Sequence, residues 1–327
     1  MCGARIAESL TAQPLGSLKR TADAALRPKN NGYCILLDSS PRGTTKVRIT
    51  NDARKCVVFL GDCDPSGNLS EFAPRATGFF VGSPEVWPDV LPDYLITVKH
   101  FAMEGEPFWI RMNTQDGAIV HLIENPDWKF HDDPSVDLAV MKFSPPEGVV
   151  WIPWYQGMVS DRSVAHDQYF GPGDLTYTVG LFMSHRGRSK NVPLVHTGHI
   201  AAFSQDEKVE VQDWDFPHDP GKRKLIDAYI VQCSAMPGAS GSPVFIRDSI
   251  RVTGEYHSHD DRGKVIESRP GWLPNLPQGY GALHLLGVWQ GSWELPPRGS
   301  VSPTRLPAGY GIVIPGQKIS EILKSLK

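Results

Sequence analysis

No apolar run in this chain of 327 residues approaches the ~20 residues needed to span a bilayer, so no membrane-spanning helix is expected. Basic charge is not in excess either: 33 Lys and Arg against 36 Asp and Glu leave a net charge of −3. Without a broad positive field, a nucleic-acid partner is not expected. Cysteine is scarce and odd in number, with five in all (Cys2, Cys34, Cys56, Cys63 and Cys233). That is no even framework of the kind that staples small secreted domains. Cys56 and Cys63 have no second pair and lack the tight Cys-x-x-Cys spacing of a zinc site. The opening residues, Met1-Cys2-Gly3-Ala4-Arg5-Ile6, carry no apolar core of a secretory signal. The expectation from these absences is a cytoplasmic protein with free thiols and no bound metal. Internal repeats and low-complexity tracts are also missing.

Turn residues, by contrast, are abundant: 28 prolines and 31 glycines accompany a 40% hydrophobic content, enough for a core in a fold of many short strands. Residues 5–28 have helical spacing (Ile6, Leu10, Leu15, Leu18, Ala22, Leu26) with a break at Pro14. From about residue 32 short strands alternate with turns, at 33–37, 46–50, 56–60, 78–81, 94–98, 108–112, 119–123 and 138–143. A linker follows at Ser144-Pro145-Pro146-Glu147-Gly148. A second series runs through 175–181, 192–203, 208–211, 228–233, 243–246, 283–289 and 311–314. The end reads as a helix, because Ile319, Ile322, Leu323 and Leu326 form one apolar stripe. The expected organisation is a helical extension over 1–30, a first β unit over 31–150 and a second over 151–327. Two polar stretches, 204–224 and 247–281, interrupt the second unit. His257 and His259 alternate in the latter and, with Asp260, offer a metal-binding option; the alternative is a solvated loop. His196 and His199 read as packing or surface residues.

Three blocks carry chemistry. Gly238-Ala239-Ser240-Gly241-Ser242-Pro243-Val244 is a glycine-flanked serine opening an apolar strand. Leu95-Ile96-Thr97-Val98-Lys99-His100 is a strand that ends on a histidine. Asp137-Leu138-Ala139-Val140-Met141-Lys142-Phe143 is an aspartate that opens a strand. A serine hydroxyl is a poor nucleophile near neutral pH; it needs an imidazole to take its proton and a carboxylate to orient that imidazole. Asp132 and Asp133, just before Asp137, are competitors for the last role.

The order His, Asp, Ser, with these strand contexts, resembles the trypsin-like serine proteases of the double β-barrel fold. The likeness is closer to intracellular bacterial and Deg-type members than to secreted trypsins. Ala76-Thr77-Gly78-Phe79-Phe80-Val81 and Gly309-Tyr310-Gly311-Ile312-Val313-Ile314-Pro315 resemble further strands of that family. The resemblance implies an all-β fold of two antiparallel six-stranded β-barrels with a closing helix. It implies a serine endopeptidase with Ser240 as nucleophile, His100 as general base and Asp137 as orienting carboxylate. The amides of Gly238 and Ser240 would form the oxyanion hole. The substrate pocket would be lined by Ser234 and Ala235 at its floor and Trp289 and Gly291 at its wall. A neutral floor implies apolar or aromatic P1 residues. The implied partners are a protein or peptide substrate and a regulatory protein, with no cofactor.

Ala239 departs from the secreted trypsins, where an aspartate pairs with a newly cut N-terminal amine, and no Ile-Val-Gly-Gly start is present. Activation by such a cut is therefore not expected. Other readings are an α/β-hydrolase esterase and a protease fold kept as a binding module. The first would need Gly-x-Ser-x-Gly where Ser242 stands, and the reverse triad order. A third is a protease held latent by residues 1–28 or by a partner; residues 1–28 otherwise pack as ordinary structure.

Overall fold

The computed structural model describes residues 49, 51–82, 92–104, 107–152, 154–155, 170–203, 207–212, 222–234, 237–247, 253–259, 265–272, 283–295 and 306–326. The helix expected over 5–28 and the strand at 33–37 lie outside them, as does 46–50 apart from Ile49. Internal contacts group Ile35–Lys327 into one compact unit.

Its first part opens with a short helix α1 (Asn51–Lys55) and strands β1 (Val57–Asp62), β2 (Ala73–Gly82) and β3 (Pro92–Thr97). Helix α2 (Lys99–Met103) and strands β4 (Phe108–Asn113), β5 (Ala118–Ile123), β6 (Lys129–Phe130), β7 (Ala139–Lys142) and β8 (Trp154–Tyr155) follow. These strands form one eight-stranded sheet in the order β5-β4-β1-β2-β3-β7-β6, with β8 running parallel to β2. The two ends of that order, β5 and β6, are consecutive in the chain, joined by residues 124–128. The sheet therefore turns back on itself through its covalent connection rather than through a ladder of hydrogen bonds. β2 is buried along most of its length, which is how a continuous apolar run such as Phe79-Phe80-Val81 behaves when both faces are covered.

The second part contains β9 (Leu175–Gly180), β10 (Leu194–Phe203), β11 (Val209–Gln212), β12 (Arg223–Ile226), β13 (Tyr229–Gln232) and β14 (Pro243–Arg247). It continues with β15 (Thr253–His259), β16 (Val265–Trp272), β17 (Leu283–Leu295), β18 (Leu306–Pro315) and helix α3 (Gly316–Ser325). Six of these strands close a barrel in the order β10-β13-β18-β17-β14-β9. The all-β class is as expected, and so is the closed six-stranded barrel of the second unit. Register shifts at Ile200/Ala202, Val244/Phe245 and Trp289/Gly291 supply the local bends that a small barrel needs. The two polar stretches each contribute a two-stranded hairpin, β11-β12 and β15-β16.

One apolar core joins the sheet to the barrel. Phe59, Phe79, Leu95 and Ile110 belong to the same buried cluster as Tyr177, Val179, Phe245 and Val288. At this junction the rings of Trp154, from β8, and Phe245, from β14, lie 4.7 Å apart. The stripe of α3 is buried as its spacing predicts, with Ile319, Ile322 and Leu323 in that core. A second cluster fills the barrel with Ile200, Tyr229, Val231, Val244, Leu286, Trp289 and Val313. Because Phe245 is fully buried, Phe245→Ala is expected to cost about 3–5 kcal/mol of stability through lost transfer energy and the cavity left behind. Urea unfolding followed by tryptophan fluorescence checks this; an unchanged midpoint would mean that the junction is not packed as described.

Candidate active site

β3 and β7 place the first two groups. The strands pair antiparallel with Thr97 opposite Ala139. Asp137 stands two residues before β7, and that register brings it level with the turn that follows β3. The strand expected to end on His100 ends at Thr97, and His100 lies in the first turn of α2. Asp137 explains the difference. One carboxylate oxygen accepts the His100 backbone N–H at 2.8 Å, a donor that has no partner within the helix. The other oxygen contacts His100 Nδ1 at 2.7 Å. The carboxylate thus grips the histidine by main chain and ring together. Asp137 is 2% exposed and the imidazole 17%. Asp133, the competing carboxylate, accepts the Ser135 N–H at 2.9 Å in a local turn.

The serine lies on the other side of the junction, on the turn entering β14. The Ser242 N–H donates to Ala239 O at 2.8 Å and the Gly241 N–H to Trp289 O at 2.9 Å. Gly238 and Gly241 have φ of +91° and +84°, values that L side chains rarely adopt. A Cβ on Gly241 would fall 2.0 Å from Thr77 O and 2.4 Å from Thr97 Oγ1. Only glycine lets the serine turn come this close to the strand that leads into His100. Thr77 fastens the approach: its N–H donates to Ser240 O at 2.8 Å and its hydroxyl to Gly238 O at 2.9 Å. That hydroxyl also accepts the Leu181 N–H at 2.9 Å. Ser240 Oγ donates to Gln290 O at 3.2 Å. Among the described residues, the N–H groups of Gly238 and Ser240 have no acceptor.

His100 and Asp137 are therefore in direct contact, and the Ser240 turn is tied against the strand beside them. Of the expected pocket residues, Ser234 is exposed, Gly291 is half-buried and Ala235 lies outside the described residues. Trp289 needs correcting. It is 2% exposed, belongs to the barrel core, and its ring lies against Gly311, so it has no surface to offer a substrate. The register shift between Trp289 and Gly291 decides which of these residues faces inward. Sequence spacing gives no sign of Gln290 as the acceptor for the serine. Its own amide is buried without a hydrogen-bond partner among the described residues. Thr77 lies in the block that resembles a family strand, but its three bonds to the serine turn and Leu181 are not readable from that block.

The charge environment acts on His100. Burial pushes its pKa down, but the negative charge and hydrogen bond of Asp137 and the charge of Glu104 outweigh burial and the opposing Lys224. The net shift is upward from the ordinary histidine value. Burial pushes the Cys56 thiol up to about 12, and it donates to Ala53 O at 3.1 Å, which makes it a neutral packing group. Among the described residues no three His, Cys, Asp or Glu side chains gather as a metal ion requires. The side chains of His257 and His259 are outside that description.

No family model matches the chain, and no curated protein does. Solved structures similar to it include the MamO protease domain from Magnetospirillum magneticum, 14% identical over 82% of this chain and 96% of that one, with a TM-score of 0.46. The Rv3671c protease from M. tuberculosis in its active form is 16% identical over 87% of this chain and 92% of that one, TM-score 0.45. The HtrA-type protease AlgW is 15% identical over 84% of this chain and 61% of that one, TM-score 0.45.

Proposed function

We propose that this chain is a serine endopeptidase in which Ser240, His100 and Asp137 act as a catalytic triad. The observation that carries the reading is the double grip of Asp137 on His100. With Nδ1 held by the carboxylate, Nε2 is the ring nitrogen that exchanges a proton with the hydroxyl. The Ser240 hydroxyl turns from Gln290 O, a neutral bond of about 1 kcal/mol net, toward Nε2. Its oxygen attacks the scissile carbonyl as the proton passes to His100. The C–N bond then breaks, and His100 gives that proton to the leaving amine. Water repeats the sequence on the acyl-enzyme, with His100 again as base. The N–H groups of Gly238 and Ser240 are the donors for the tetrahedral oxyanion, a contribution of about 3–4 kcal/mol per donor. Ala239 is fully buried among apolar barrel residues. A new N-terminal amine would find no carboxylate at that position, which supports activity without a zymogen cut. Cytoplasmic location and an apolar P1 preference, the latter now resting on Ser234, belong to the same proposal.

The decisive experiment is labelling of the full, unprocessed chain with a fluorophosphonate. Wild type is expected to label, and Ser240→Ala and His100→Ala are not. Failure of wild type to label would leave the binding-module or latent reading in its place. In a peptide library, faster cleavage after Lys or Arg than after apolar residues would overturn the P1 assignment.

The raised pKa of His100 has two consequences of opposite sign. The folded protein gains stability from protonated His100 at pH below the unfolded value of about 6.5. That gain is lost as pH rises through the higher folded value. Catalysis needs the neutral base, so kcat/KM is expected to rise with pH through a midpoint above about 6.5. Glu104→Gln removes a charge that raises the pKa and should move the midpoint down; Lys224→Met removes one that lowers it and should move it up. A midpoint indifferent to both substitutions would show that His100 is not the group titrating.

A further inference from the structure

β4 carries a buried arginine that the proposed reaction does not use. Arg111 is 1% exposed, and among the described residues no carboxylate pairs with it. Its Nη1 donates to Arg186 O at 3.3 Å, and its Nη2 to Gly187 O at 3.0 Å and Arg188 O at 2.9 Å. Burial, with the neighbouring Arg186 charge, lowers its pKa to about 10, so it remains a cation at neutral pH. Taking a cation out of water without a counter-charge is costly. Here the compensation is three successive backbone carbonyls, so the arginine acts on the path of the chain at 186–188.

Asn113, two residues along and on the same face of β4, holds the next part of that path. Its Oδ1 accepts the Asn191 N–H at 2.6 Å and its Nδ2 donates to Asn191 O at 3.1 Å. Asn191 Nδ2 returns a bond to Arg111 O at 2.6 Å. The other end of the same segment meets the serine turn. The Met183 N–H donates to Pro237 O at 3.3 Å. Leu181 and Met183 also pack so closely on Gly238 that a Cβ there would fall 2.7 Å from Leu181 Cδ2 and 2.8 Å from Met183 Cγ. The chain from 181 to 191 is thus a strap with β4 at one end and the Gly238 peptide at the other.

We infer that Arg111 is a positioning residue for the oxyanion site. By clamping 186–188 it fixes Leu181 and Met183 against Pro237 and Gly238, and so holds the Gly238 N–H where a developing oxyanion needs it. The inference rests on the protease reading for its catalytic consequence, but not for its structural one. A donor displaced by about 1 Å can lose a hundredfold in rate, whereas ground-state binding of the peptide depends on other contacts.

The test compares wild type, Arg111→Met and Asn113→Ala by hydrogen exchange of the peptide covering 237–241 and by steady-state kinetics on a peptide ester. Both variants are expected to exchange faster at 237–241. Arg111→Met should lower kcat by about 10- to 100-fold and Asn113→Ala by less. KM should stay within about twofold, and the acid midpoint of the pH profile should not move, because His100 and Asp137 are untouched. Unchanged exchange at 237–241 overturns the inference whether or not the protein turns over substrate. Faster exchange with wild-type kcat, or a raised KM at constant kcat, overturns it as well. Should Arg111→Met fail to fold, Asn113→Ala, at a half-buried position, gives the same readings. The protease reading fails separately, on absent labelling of wild type.

Discussion

One buried threonine holds the two parts of this molecule in the relation that the site requires. Thr77, on β2 of the sheet, is fully buried, and its N–H, hydroxyl and carbonyl are all engaged. The first donates to Ser240 O and the second bridges Gly238 O and Leu181 N. The third accepts the Thr97 hydroxyl at 2.8 Å. The serine turn, the end of β9 and the strand leading to His100 thus meet on a single residue. Hydrogen bonds in so dry a place are strong when made and costly when broken. The approach of Gly241 to Thr77 O leaves no slack in this joint.

The proposed chemistry is divided across that joint. The sheet supplies the histidine and its carboxylate, while the barrel supplies the serine and the two amides. Neither part holds the complete set, so the proposed function depends on the apolar junction of Trp154, Phe245 and their neighbours as much as on Ser240, His100 and Asp137. The His100–Asp137 pair also sets stability against activity. The contact that orients the ring makes the protonated form the more stable one, while the proposed reaction uses the neutral form. A site that stores such a conflict needs a rigid surround, since strain and unfavourable charge persist only where neighbouring structure over-determines them. Arg111 and Asn113, with their grip on the strap behind Gly238, are part of that surround.

Much of this arrangement is legible in the residues themselves. Asp137 is separable from Asp132 and Asp133 because Leu138-Ala139-Val140 follows it directly, as in the block of the trypsin-like proteases that it resembles. The glycines around Ser240 announce a tight turn, and two of them have the positive φ that such a turn uses. Trp289 shows where pattern reading stops. Strand alternation has a period of two, and a bulge between Trp289 and Gly291 breaks it, so an apparent pocket wall becomes core. Arg111 carries no signal at all, since a lone arginine in Phe108-Trp109-Ile110-Arg111-Met112 reads as a solvent-facing strand position until a carbonyl-rich loop is folded over it.

The sequence by itself determined the all-β class, many of the strands in both parts, the closing helix and the three residues that merit chemical attention. The elements follow from local periodicity and from glycine and proline placement, and the choice of fold and of the three residues from the resemblance of their blocks to the trypsin-like proteases. Tertiary structure alone decided that Asp137 takes both the amide and the ring of His100, that Thr77 joins the two parts, that Trp289 is core and that Arg111 is buried on carbonyls. Each of these depends on contacts between segments tens of residues apart, such as 37 for His100 and Asp137 and 161 for Thr77 and Gly238. No local pattern encodes which backbone groups will face each other over such separations, because that is fixed only when the sheet and the barrel pack.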